Sequence, residues 1–222
     1  MQEVIFPIRL TYSKTGRARY ISHLDTMRSL TRALRRAGLP LWYTQGFNPH
    51  LYLTFLLPLA LGVESHCEIV DLRLTEEMDF ARLTEQIDKH LPPGFAVTGV
   101  AAPVLPAKAI AWAEYRLTLT FPAGEGGGME EAMRALLAQE SIPARKKTKK
   151  GEEVVDIRPH CRLIALSADR DRLDLQIRLA AGVSLNVAPK TLLEAFAQAA
   201  RPPERVGILR TRVLDQGEND FL

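Results

Sequence analysis

The chain has 222 residues, 46% of them hydrophobic and 25% charged, the balance of a soluble globular protein long enough for one domain or two small ones. No apolar run approaches the ~20 residues of a membrane-spanning helix, and the start, MQEVIFPIRL, lacks the layout of a secretion signal, so a cytoplasmic protein is expected. Cys67 and Cys161 are expected as two reduced thiols, too few for a three-thiolate iron–sulfur site.

The net charge of +3 hides an uneven distribution. Lys14, Arg17, Arg19, Arg28, Arg32, Arg35 and Arg36 crowd the first 50 residues, where Glu3 and Asp25 are the only acids. Residues 64–88 reverse this, with eight acids against Arg73 and Arg82. Segregation of this kind favours a polyanionic partner if it survives folding.

In chain order, the alternation of Val4, Phe6, Ile8, Leu10 and Tyr12 predicts a strand. A helix is predicted over 22–37, capped by Ser22 and stopped by Gly38 and Pro40. Its Leu24, Met27, Leu30 and Leu34 are expected to pack, while Arg28, Arg32 and Arg35 share another face. Short strands are expected at 39–44 and 52–57, separated by the turn residues Gly46, Asn48 and Pro49. A strand over 67–74, a helix over 79–91 ended by Pro92-Pro93-Gly94, and an extended stretch over 95–104 follow.

A Pro- and Ala-rich passage, 101–111, reads as a linker, and the order then recurs. A strand through Tyr115 to Phe121, a break at Gly126–Gly128, and a helix over 129–138 come first. A hairpin of 163–167 with 173–179, a helix through Leu192 and Phe196, and a strand over 205–214 complete it. The expected fold class is therefore α+β: two tandem ferredoxin-like (βαββαβ) units with antiparallel sheets, spanning 1–105 and 112–222. That architecture is similar to tandem ferredoxin-like endoribonucleases that cut CRISPR repeats, although a fold alone does not assign an activity.

The candidate nucleic-acid-binding residues are Arg17, Arg19, Tyr20, Arg28, Arg32, Arg35, Asn48, Lys146, Lys147, Lys149, Lys150 and Arg158. Guanidinium groups beside Tyr20, Trp42, Tyr43, Phe47 and Tyr52 suit a phosphate backbone with exposed bases, and equally describe a solvated helix face. The run Arg145 to Gly151 holds the densest charge and is expected at the tip of a long hairpin, where it would grip phosphates or simply stay solvated. The helix arginines and this tip are expected to meet on one positive surface.

His23 and His50 are the candidate acid–base groups, in competition with ordinary local hydrogen bonding. The pairs His66-Cys67 and His160-Cys161 invite a zinc reading, but strand neighbours point to opposite faces, so no metal or cofactor is expected. Gly46 to His50 lacks the spacing of a phosphate-binding loop.

The runs RYISHLDTMRSLTRALRRAGLPLWYTQGFNPH, PLALGVES and KKTKKGEEVVDIRP resemble a bacterial family of radical-SAM-associated domains of unknown function, found alone or fused behind a cobalamin-binding radical SAM enzyme. The resemblance implies a substrate-handling accessory whose radical SAM partner is a separate chain. Leu51 and Tyr52 depart from the second proline and the lysine expected after His50. Three readings follow: a noncatalytic module presenting a structured tRNA or rRNA to that enzyme, a metal-independent endoribonuclease, or a protein-docking domain without nucleic acid.

Overall fold

The computed structural model describes residues 4–148, 151–182 and 185–221. These divide into two compact units, one of residues 4–107 with Phe221 and one of residues 108–220. Each is a mixed α+β body whose main sheet is antiparallel, and four α-helices lie among the described residues. None of them is long and apolar enough to cross a membrane.

The first unit runs β1 (Phe6–Lys14), α1 (His23–Arg36), β2 (Leu53–Phe55), β3 (Glu64–Leu74), α2 (Phe80–Asp88) and β4 (Phe95–Ala101). Its strand order is β4-β1-β3-β2, every pair antiparallel. Ile8, Leu10 and Tyr12 stand opposite Leu72, Val70 and Glu68, so one face of β1 and β3 is apolar over most of its length. Leu30 and Leu34 from α1 and Leu83 and Ile87 from α2 complete this core, and burying each contributes about 1.5–3 kcal/mol.

Ser22 caps α1, its Oγ accepting from the Asp25 backbone N–H at 3.1 Å and donating to the Asp25 carboxylate at 2.8 Å. That hydroxyl first, then the charges of Arg28 and Arg32, hold the Asp25 carboxyl below the usual carboxylate range. The face that packs is Thr26, Leu30, Ala33 and Leu34. Leu24, expected in the core, is 48% exposed, because the helix is rotated so that its i, i+4, i+7, i+8 positions meet the sheet.

Two buried cations fix the ends of this unit. Lys14 donates through Nζ to the Ile21 carbonyl at 2.7 Å, tying the end of β1 to the entrance of α1. Burial pulls its pKa below the usual lysine value, and the charge of Glu68 opposes that shift. On the other face, Arg9 forms a bidentate pair with Asp71 at 2.8 and 3.0 Å, donates to the Leu105 carbonyl at 2.9 Å, and lies 4.8 Å from the Phe221 ring centroid.

The second unit runs β5 (Ile110–Thr120), α3 (Gly126–Ala138), β6 (Pro143–Thr148), β7 (Gly151–Asp156), β8 (Cys161–Asp169), β9 (Arg172–Ala180), α4 (Pro189–Ala199) and β10 (Arg205–Asp215). Its main sheet has the order β10-β5-β9-β8, and β6 and β7 form a separate hairpin inserted between α3 and β8. Leu117, Leu175, Ile177, Met133, Leu192 and Phe196 lie in its core.

The glycines expected to break the chain instead open α3. Gly126 donates its N–H to the Arg170 carbonyl at 2.8 Å, and a Cβ there would sit 2.9 Å from that oxygen, so only glycine lets the helix start against the β8–β9 turn. Asp156 closes the base of the inserted hairpin by accepting from the Arg158 N–H at 2.9 Å and the Ile142 N–H at 2.8 Å. Those two bonds hold its carboxyl below the usual range.

Two stability predictions follow from the buried cations. Asp71→Ala strands a buried guanidinium and should cost about 3–5 kcal/mol in urea denaturation, whereas the double variant Arg9→Met/Asp71→Leu should cost less. Lys14 binds its proton less tightly folded than unfolded, so its contribution to stability improves as pH rises from its lowered folded pKa towards 10.5. Wild type should therefore gain stability relative to Lys14→Met across that window; a constant difference contradicts this.

Candidate nucleic-acid interface

Arg17 and Arg19 sit in a 3-10 turn, Gly16–Tyr20, immediately before α1. Arg17 is exposed. Arg19 reaches Glu64 at 3.6 Å, donates to the Tyr20 hydroxyl at 2.8 Å and lies 4.8 Å from the Tyr20 ring centroid. Arg28, Arg32 and Arg35 all face solvent along α1. Arg28 pairs with Asp25 at 3.2 Å, while Arg17, Arg32 and Arg35 form no ion pair among the described residues.

The chain after α1 makes an arm. Leu41 bridges to Leu74 of β3, Tyr43 bridges to Leu51, and Trp42 donates its N–H to the Arg73 carbonyl at 2.9 Å. The expected strands at 39–44 and 52–57 are thus two isolated bridges and the three-residue β2. Neighbours in extended chain point to opposite sides, and the arm uses both. Leu41, Tyr43, Leu51 and Leu53 turn towards the helix-covered core. Tyr43 receives Arg35, whose Nε donates to its hydroxyl at 3.2 Å and whose guanidinium is 5.6 Å from its ring centroid.

On the other side the Arg73 guanidinium rests against two rings, 4.1 Å from the centroid of Tyr52 and 5.2 Å from that of Trp42, which meet edge-on at 5.9 Å. Sequence reasoning missed Arg73. Its alternation with Leu72 and Leu74 marks it as facing away from the core, but its seat between rings distant in sequence depends on the register of the arm against β3.

From the arm projects a seven-residue loop, Thr44 to His50. Thr44 donates its N–H to the His50 carbonyl at 2.9 Å, and its Oγ1 accepts from the His50 N–H at 3.1 Å. The His50 Nδ1 lies 3.0 Å from that Oγ1 and 3.2 Å from the Asn48 carbonyl. Asn48 is exposed near the tip, and Phe47 beside it is fully exposed.

The candidate histidines therefore have structural surroundings. His50 orders the loop, and the His23 ring packs edge-on to Phe55 at 4.9 Å. Ser22, a conceivable activating partner, is committed to the helix cap.

The remaining candidates lie in the second unit. Lys146 and Lys147 are in β6, in register with Glu153 and Glu152, and Lys149 and Lys150 fall outside the described residues. Arg158 is half-buried and donates through NH1 to the Cys161 carbonyl at 3.3 Å. Arginines on the sheet of this unit meet acids: Arg178 pairs with Glu114 at 2.7 Å and with Glu218, Arg162 with Glu218, and Arg212 with Asp220 at 2.7 Å. Cys161 is buried, which pushes its thiol up to about 11. No group of three His, Cys, Asp or Glu able to hold a metal ion occurs among the described residues.

Residues 7–189 match the family described as uncharacterized protein conserved in bacteria (DUF2344). The chain belongs to this family. No curated protein matches it. Among solved structures, this DUF2344 protein is similar to a chain in the crystal structure of a Cbf5-Nop10-Gar1 complex, with 11% identity, 94% of this chain and 49% of that one covered, and a TM-score of 0.46. It spans about half the length of that chain. It is also similar to an unknown protein from Galdieria sulphuraria (16% identity, 92% and 96% covered, TM-score 0.29) and to the CRISPR endoribonuclease Cse3 bound to 19 nt RNA (13% identity, 92% and 99% covered, TM-score 0.20). These likenesses are distant, and no functional statement follows from them.

The seat of Arg73 yields a local test in this DUF2344 protein. Stacking of a guanidinium on aromatic rings contributes about 1–2 kcal/mol, so Arg73→Ala should speed amide exchange at Trp42, Thr44 and Tyr52 by about 5- to 30-fold while leaving Val70 and Leu72 protected. Unchanged exchange in the arm contradicts this role.

Proposed function

We propose that the first unit is a noncatalytic RNA-binding module, presenting a structured tRNA or rRNA to a radical SAM enzyme on another chain. The observation that carries this reading is the pairing of arginines with aromatic rings along one segment: Arg19 with Tyr20, Arg35 with Tyr43, and Arg73 between Trp42 and Tyr52. Arginine keeps its charge at any physiological pH, presents a flat donor face to phosphate, and is weakly enough hydrated to stack. RNA asks for both properties, since proteins hold its backbone by charge and its unstacked bases on planar groups.

The exposed cations point the same way. Arg17, Arg32 and Arg35 form no ion pair among the described residues, in contrast with Arg162, Arg178 and Arg212 of the second unit. We read each unit as ferredoxin-like, supported by the shared strand orders β4-β1-β3-β2 and β10-β5-β9-β8 with two helices apiece. The radical SAM partner rests on the resemblance of the motifs and on a chain with only two cysteines. The endoribonuclease alternative has less support, because Ser22 caps α1 and the His50 Nδ1 is held inside its loop.

The test is filter binding of labelled bulk tRNA and rRNA across a salt series. Log affinity should fall linearly with log salt, and Arg28→Gln/Arg32→Gln/Arg35→Gln should lower the slope by roughly 1 for each arginine that contacts phosphate. Absence of salt-sensitive binding removes the reading.

A further inference from the structure

The loop from Thr44 to His50 has a construction that charge alone does not explain. Five contacts between Thr44, Asn48 and His50 lie at its base, Gly46 adopts a φ of +130° that other residues rarely reach, and Pro49 removes another degree of freedom. The result is a tight loop whose tip residue, Phe47, is fully exposed and stacks on no ring among the described residues. The loop springs from the arm that carries Tyr43 with Arg35 on one side and Trp42 and Tyr52 with Arg73 on the other.

Resting on the RNA-binding reading above, we infer that Phe47 is a stacking finger for an unpaired nucleotide, so that the RNA recognised is single-stranded at this point. A phenyl ring has no hydrogen-bonding group and no charge; what it offers an RNA is a flat apolar face. In an A-form duplex the faces of the bases are covered by their neighbours, and the major groove is too deep and narrow for side chains to read. A loop, bulge or end leaves a base face uncovered, and an aromatic ring already held in place stacks on it with little further ordering. The arginines beside the arm then hold the flanking phosphates, which keeps the strand over the finger. The division of labour is definite: the guanidinium groups set the salt dependence, and Phe47 sets the preference for unpaired bases.

The experiment uses the full chain with three probes: a 20-nucleotide oligo(A) carrying one 2-aminopurine, the same strand paired with oligo(U), and bulk tRNA. Phe47→Ala should weaken binding to the single strand by about 10- to 100-fold without changing the salt slope, and should leave duplex binding unaltered. Phe47→Trp should keep the affinity and quench 2-aminopurine fluorescence. Because Phe47 is fully exposed, circular dichroism of both variants should match wild type. Equal affinity for single strand and duplex, with Phe47→Ala neutral on both, overturns the stacking role while the RNA reading stands on the tRNA arm. Failure of all three probes to bind in a salt-dependent manner removes the RNA reading, and the finger with it.

Discussion

The seat of Arg73 between Trp42 and Tyr52 is the constraint on which the surface of the first unit depends. The arm from Leu41 to Tyr52 makes only isolated bridges, so backbone pairing alone would leave it loosely attached to the sheet. A guanidinium on the rigid β3, flanked by one ring from each leg, joins both legs to the same point. With the arm fixed, Tyr43 is presented to Arg35 at the end of α1, and the loop carrying Phe47 has a firm root. The Arg73 contact thus acts together with the packing of Leu41, Tyr43 and Leu51 against the core on the opposite face of the arm.

The distribution of charge explains how the first unit carries exposed arginines on α1 although it also contains the acidic segment 64–88. The acids of residues 64–88 are largely engaged in building the unit. Asp71 holds Arg9, Asp79 caps α2, Asp88 accepts from the Val97 N–H at 2.8 Å, and Glu68 is buried. Among the described residues none of them forms an ion pair with α1, where Asp25, at the cap, pairs with Arg28. In the second unit the arginines are paired across the sheet, and its lysine-rich hairpin is an insertion in an otherwise parallel plan of elements. Charges that look alike in the sequence thus divide into those that hold the fold and those exposed to solvent.

Much of this was legible from local pattern. The alternation in β1, β3, β5 and β9, the Ser22 cap, the stop at Gly38 and the hairpin ending at Gly151 each rest on interactions within a few residues, which a sequence displays directly. The misses share a different cause. Periodicity points Leu24 to the core but does not fix how a helix is rotated on its sheet, and small Thr26 and Ala33 face inward instead. Gly126 was read as a breaker because the carbonyl of Arg170 that requires it is distant in sequence. The bond of Arg158 to the Cys161 carbonyl is likewise not announced by anything local. Arg73, the residue that organises the arm, was hidden for the same reason: its neighbours are set by strand register.

The central claim is that RNA lies along the segment from the 3-10 turn through α1 to the arm. It is tested most directly by ultraviolet crosslinking of the protein to 4-thiouridine-labelled cellular RNA, followed by mass spectrometry of the attached peptides. The account predicts nucleotide adducts concentrated within residues 17–52, with the peptide containing Phe47 among the most heavily modified. Adducts confined to other parts of the chain, or none above the level of an unrelated basic protein, would contradict it.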